Sequence, residues 1–423
     1  MHVTAIDQIT LSGSLTEIAL TWSGPPARSG LPVTFNQGNH LRAQTEQAPA
    51  WLAGTATLPD ARPDVDRVAA AVTRLLTEQD ALRARFPRTA EAPTQDVYDA
   101  HQVSARPRVT GRVWHRFLAA LIAERCRPGD VPGVFFAVLD DTLVCAFDHA
   151  HADALTIDLV LRRLLAYYAD PATPTAPARD LTQRCIDEAA GVQVLDAGES
   201  KAALRVWEEF FDETGGTLPA FGLPLGPGRA PQRTVVVPLS GAATTDTVLG
   251  TKQPFATLLA ALSGAIAETG GPSRLATLIP IHTRGRRDSG WHDTAGWLVS
   301  NAPVIVDADD PAGAQHWLRH APTLAALPLE QVLAHCRPTF TSADISMVSY
   351  LDYRRLGPDL PGAQHISALT STDTAQFWFT RSGQGVDLRV RYPAHPEADE
   401  SIDALLAALR VKLRLPAALP RSG

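Results

Sequence analysis

Phe147-Asp148-His149-Ala150-His151-Ala152-Asp153-Ala154-Leu155-Thr156 is the stretch on which the reading of this chain turns. It ends an apolar run, Leu143 to Phe147, that reads as a buried strand. It leads into residues where Ile157, Val160, Leu161, Leu164 and Leu165 recur at helical spacing, with Asp153 or Thr156 placed to cap the first turn. Two His and two Asp therefore stand on a strand-to-helix connection. Loops held by a rigid scaffold are where chemistry concentrates, and imidazole is the usual base near neutral pH. A carboxylate can orient it or its loop.

Working outward, Gly133 to Leu139, the acidic pair Asp140-Asp141 and Thr142 to Phe147 give a hairpin signal. Further upstream, Thr16 to Trp22 and Trp51 to Thr57 read as strands. Residues 23–50, rich in Gly, Pro and polar groups, read as a long loop. Apolar residues from Val65 to Phe86, and again from Val113 to Ile122, mark amphipathic helices. Downstream, the Pro-dense run from Asp170 to Pro177 is the best linker, which predicts an N-terminal lobe over 1–175 and a C-terminal lobe over 176–423. The second part predicts helices near Ala202 to Phe211, Phe255 to Ile266 and Ile402 to Leu413. Its expected strands are Thr234 to Pro238, Leu275 to Ile281, Ala302 to Val306, Ile345 to Leu351, Gln376 to Thr380 and Val386 to Arg391. Strands and helices alternate in both parts, so the expected class is mixed α/β.

Composition narrows the function. The 423 residues are 45% hydrophobic and 20% charged, ordinary for a globular chain. A net charge of -7 argues against a dedicated nucleic-acid binder. Four widely spaced Cys with no CxxC pair argue against structural zinc or a disulfide framework. The first residues show neither a basic region nor an apolar one, and no apolar run is long enough to span a bilayer, so a cytoplasmic protein is expected.

Three readings of the opening stretch compete. The first is a polar loop before a helix, with no chemistry. The second takes His149-Ala150-His151-Ala152-Asp153 as zinc ligands, similar to the H-x-H-x-D-H run of metallo-β-lactamase-like hydrolases. Ala154 stands where that pattern needs its last His, and no later His pair supplies the missing ligands. The third reads His149 and Asp153 as the second His and the Asp of H-H-x-x-x-D-G. That motif marks the condensation-domain and chloramphenicol-acetyltransferase-like acyltransferases. Further segments resemble that superfamily in order along the chain. Gln79-Asp80-Ala81-Leu82-Arg83-Ala84-Arg85-Phe86 resembles its early R-H-E-x-L-R-T-x-F run, without the R-H-E. Leu278 to Arg284 looks like the strand whose Arg pairs with the motif Asp. Gly296-Trp297-Leu298-Val299-Ser300-Asn301-Ala302-Pro303-Val304 and Ser346 to Leu351 are similar to two later segments. Asp148 replaces the motif's first His, a change tolerated in this group, and Ala154 replaces its Gly.

The resemblance implies two acetyltransferase-like lobes in a pseudo-dimeric V, with an active site at their interface. It implies transfer of an acyl or aminoacyl group, forming an amide or ester. The donor would be the phosphopantetheine thioester of a carrier protein, the acceptor a small-molecule amine or hydroxyl. No permanently bound cofactor, metal or membrane span is implied. His149 takes the catalytic role. Asp153 and Arg284 form an orienting pair, with Asp148 beside them, and His151, Trp297, Asn301, Ser349 and Tyr350 are candidates to line the substrate cleft. The replaced positions keep open a non-catalytic module that docks a carrier protein. If position 154 needs φ > 0, Ala strains it.

Overall fold

The computed structural model describes residues 2–43, 49–88, 92–175, 178–192, 194–241, 253–340 and 344–415. The strands run in order as β1 (His2–Ala5), β2 (Gly13–Trp22), β3 (Arg28–Leu31), β4 (Trp51–Thr57), β5 (Ala84–Arg85), β6 (Gln95–Val97), β7 (Val103–Val113), β8 (Val134–Leu139) and β9 (Thr142–Asp148). They continue as β10 (Ala230–Gly241), β11 (Arg274–His282), β12 (Val299–Asp307), β13 (Met347–Asp352), β14 (Gln364–Ser367), β15 (Ser371–Thr372), β16 (Gln376–Ser382) and β17 (Gly385–Pro393). The helices are α1 (Phe35–Ala43), α2 (Val65–Glu78), α3 (His115–Arg125), α4 (Ala154–Ala169), α5 (Leu181–Ala189), α6 (Ala197–Glu213), α7 (Pro254–Glu268), α8 (Pro311–Ala326), α9 (Leu329–Cys336) and α10 (Pro396–Lys412). The class is mixed α/β, as the alternation of elements predicts. No helix among the described residues is long and apolar enough to cross a membrane.

The chain forms two units. The first comprises Met1–Gln193, Arg284–Val299 and Pro358–Thr370; the second comprises Val194–Thr283, Ser300–Gly357 and Ser371–Gly423. A single break near residue 175 is therefore replaced by a division in which two later segments return to the first unit. The Pro-rich run fails as a linker because it is pinned. Arg74 of α2 donates to the carbonyls of Pro171, at 2.8 Å, and Thr173. Just beyond, Asp80 accepts from the Leu181 and Thr182 amides and the Thr182 hydroxyl, fixing the start of α5. Residues 176 and 177 of the expected linker lie outside the described residues.

The first unit is built on a sheet of order β1-β14-β4-β9-β8-β2-β7, beside a small sheet β3-β6-β5. Its centre is the expected hairpin. β8 and β9 pair antiparallel through Asp140-Asp141, and Asp140 takes the left-handed φ of 51° that such a two-residue turn requires. Nearly every residue of both strands is buried. The sequence reads there as an uninterrupted apolar run because both faces are covered. On one face, Phe136 and Phe147 share a core with Val72, Leu75 and Leu76 of α2 and with Ile157, Val160, Leu161 and Leu164 of α4. On the other, Leu118, Leu121 and Ile122 of α3 join Phe135, Val144 and Ala146. The approach of α4 to β4 is close enough that a Cβ at Gly54 would lie 2.4 Å from Ile157 Cγ2, so glycine is required there.

The second unit carries the sheet β12-β11-β13-β16-β17-β10-β15. Phe377 and Phe379 of β16, with Val386, Leu388 and Val390 of β17, are buried, as are Leu258, Leu259, Leu262 and Ile266 of α7. α7 packs against α8 and α10.

Candidate active site

The end of β9 places the site. Asp148 closes the strand, His149 to His151 form a single tight turn, and Asp153 caps α4 by accepting from the Thr156 amide at 2.8 Å. The His149 amide donates to the Ala50 carbonyl at 3.1 Å, tying the turn to the start of β4. Ala154 is the first residue of α4 and is not among the residues with positive φ, so its methyl group causes no backbone strain.

Asp153 and Arg284 meet in a two-pronged pair. Arg284 donates from Nη1 to Asp153 Oδ2 at 2.6 Å and from Nη2 to Oδ1 at 3.0 Å. The guanidinium is 2% exposed and also reaches Thr156 Oγ1 and the Gly296 carbonyl. The Leu298 amide donates to Asp153 Oδ2 at 3.1 Å. Burial alone would raise the Asp153 carboxyl, but the Arg284 charge and its hydrogen bonds outweigh it and hold the carboxyl below its ordinary range. This buried fork locks the helix cap of α4 to the segment carrying Trp297. Gly296, before Trp297, sits at φ +143°, and a Cβ there would lie 2.3 Å from Leu181.

Trp297 stacks on the His149 ring with centroids 3.9 Å apart and planes 27° from parallel. His149 Nδ1 is buried without a hydrogen-bond partner. No hydrogen bond from a protein group reaches Nε2 either among the described residues, so neither ring nitrogen is committed to a protein partner. Burial, and then the neighbouring His40, push the His149 imidazole down to about 4. The ring is therefore neutral throughout the physiological range although part of its surface stays accessible.

His40 belongs to a helix the sequence does not announce. It lies on α1, inside the region read as loop, and its Nε2 lies 2.9 Å from Asp148 Oδ1. Its ring centroid is 5.9 Å from that of His149 and 5.8 Å, edge-on, from that of Trp297. Asp148 Oδ1 also accepts from the Ala150 amide, while Oδ2 is buried without a partner. Gln37 and Asn36 of α1 stand in no motif-like run either; they donate to the carbonyls of Ala150, at 2.9 Å, and Val299, at 2.6 Å. Gln79, which opens the early motif-like run, accepts from the Ala295 amide and donates to the Asp293 carbonyl, which steadies the approach to Gly296. Arg83 in the same run is buried and donates to the carbonyls of Tyr98 and Leu76.

His151 is not a cleft residue. It is 1% exposed, its Nε2 accepts from the Gly133 amide at 3.1 Å, and its Nδ1 faces the Ala81 carbonyl at 2.9 Å. Both nitrogens are spent on backbone, so the ring is a satisfied core group and not half of a zinc pair with His149. Asn301, Ser349 and Tyr350 belong to the second unit, on β12 and β13, where Tyr350 stacks on Phe255 with centroids 5.1 Å apart. All four thiols are pushed upward by burial, Cys145 and Cys185 to about 12, so none is poised as a nucleophile.

No family model matches the chain, and no curated protein matches its sequence. Solved structures do match its fold. The PapA2 acyl transferase superposes with a TM-score of 0.82 at 18% identity, over 98% of this chain and 99% of that one. The condensation domain from the Monacolin K polyketide synthase MokA gives 0.65 at 15% identity, over 95% and 99%. The X-domain from teicoplanin biosynthesis gives 0.66 at 18% identity, over 94% and 98%. The chain thus has the condensation and acyltransferase fold that its motifs resemble.

Proposed function

We propose that the chain is a condensation-type acyltransferase. It would join an acyl or aminoacyl group, carried as the phosphopantetheine thioester of a carrier protein, to an amine or hydroxyl acceptor. The observation that carries this reading is the state of His149: a neutral ring, stacked on Trp297, whose nitrogens no protein group among the described residues hydrogen-bonds. As the acceptor attacks the thioester carbonyl, its N–H or O–H becomes strongly acidic. Nε2 takes that proton as the new C–N or C–O bond forms. The C–S bond then breaks, and the proton passes to the departing thiolate. A group with this task need only be unprotonated and aimed, which burial and the stack provide. Asp153 takes no proton in this scheme, since Arg284 keeps it ionised and turned away as a structural partner. With no thiol activated, the acyl group passes directly between substrates without an acyl-cysteine intermediate.

The test is to incubate the protein with acyl-carrier thioesters and a panel of amines and alcohols, following free thiol and product mass. Thiol release matched by product supports the reading. A second reading rests on the likeness to the X-domain, which is known in complex with OxyB. In it this chain docks a carrier protein without turnover. Carrier binding with thiol release no faster than the uncatalysed background would favour that reading and overturn the first.

A further inference from the structure

We propose that His40 is a positioning residue for His149, and that α1 is the bracket that sets the geometry of the site. This rests on the reading of His149 as the reacting group. Three polar anchors stand on one short helix. Asn36 binds the Val299 carbonyl, two residues past Trp297; Gln37 binds the Ala150 carbonyl, one residue past His149; His40 binds Asp148, one residue before it. Positions 36, 37 and 40 share a face of a helix, so a single rigid element holds both loops that present the stacked rings. The stack itself is closed on its third side by the His40 ring, edge-on to Trp297.

His40 carries more than a contact. Its side chain is 8% exposed and Asp148 is fully buried, with one carboxylate oxygen bound only by His40 and the Ala150 amide and the other unbound. Without His40, Asp148 would be a buried carboxylate left with one backbone donor. The titratable groups facing His40 are Asp148 on β9 and, by their mutual charge effects, His149 and His151 on the turn. Cys126 feels the same Asp148 charge. After burial, His40 is the next influence opposing protonation of His149. His40 thereby fixes where the ring stands and adds to the burial that keeps it neutral.

The test uses the full chain with ¹⁵N-labelled histidine, in wild type, His40→Ala and His40→Gln. Glutamine keeps a donor near the Nε2 position and drops the ring. The ¹⁵N shifts and titration of His149 are read together with thermal stability and with kcat and KM for any active thioester. In His40→Ala the His149 midpoint is expected to move upward and its shifts to change, with kcat lowered about 10- to 100-fold and KM little changed. His40→Gln should recover stability and part of kcat while the midpoint stays raised. If stability falls but His149 shifts and midpoint match wild type in both variants, His40 is structural only and the proposal is overturned. If His149 responds as expected while wild type turns over no thioester, the positioning role stands and the acyltransferase reading fails.

Discussion

The pair that decides most at the scale of single residues is Asp153 with Arg284. Both are almost fully buried, and their two parallel hydrogen bonds offset the cost of taking two charges out of water. Removing the cation leaves an uncompensated carboxylate. Arg284→Ala should lower stability by about 3–5 kcal/mol at pH 7. Arg284→Lys should recover only part of it, since an ammonium cannot span both oxygens, Thr156 and the Gly296 carbonyl. The pH dependence has a definite sign. The folded Asp153 carboxyl titrates below its unfolded counterpart, so its stabilisation is present above the unfolded value and is lost as pH falls through the folded one. In the Ala variant the unpaired buried carboxyl titrates higher and becomes neutral on acidification. The gap between wild type and variant, read by chemical denaturation, should therefore narrow from pH 7 to pH 4. A gap that stays constant would show that the charge pairing is not what the residues contribute.

Among the elements, α1 shows where the sequence falls silent. The β8–β9 hairpin and α4 are legible because their apolar residues follow the periods of buried strands and an amphipathic helix. α1 has no such stripe: Asn36, Gln37, Gly38, Asn39 and His40 are poor helix formers or polar, and the helix is held by side-chain bonds to distant loops. Asp153, Arg284 and His149 can be singled out through motif resemblance, whereas His40 lies in no motif-like run and its partner is 108 residues away. α5 escapes a linear reading for a related reason, since its start is fixed by Asp80, about a hundred residues upstream. The anchor most exposed to test is Gln37, which is 2% exposed and bonds both the Ala150 carbonyl and the Thr34 amide. Gln37→Ala should cost about 1–3 kcal/mol by leaving those groups unpaired. A loss under about 0.5 kcal/mol, the level of ordinary surface changes, would mean α1 does not brace the turn.

For the whole molecule, the first unit is made of three separated stretches of chain. Segment 284–299 brings Arg284 and Trp297; segment 358–370 brings β14, which pairs parallel with β1 and antiparallel with β4. A linear reading cannot find this, because the Pro-rich run near 175 has the composition of a linker while its backbone is bound by Arg74. A fragment of residues 1–175 would lack a strand of the sheet and leave Asp153 buried without its cation. It should be poorly soluble or lack a cooperative thermal transition, as seen by circular dichroism. A sharp transition with native-like spectra would show that the returning segments are dispensable.

At the centre of the proposed function, a neutral His149 takes the acceptor's proton. The pH profile of kcat/KM for thioester consumption, in wild type and His149→Ala, tests it most directly. With the imidazole held near 4, the wild-type rate should be flat in this group's titration from pH 8 to about 5 and fall below that as the lone pair is protonated. His149→Ala should lose about 10²- to 10⁴-fold at every pH on the plateau while remaining folded. A folded His149→Ala variant within about twofold of wild type, a difference too small for a lost proton acceptor, would contradict the account.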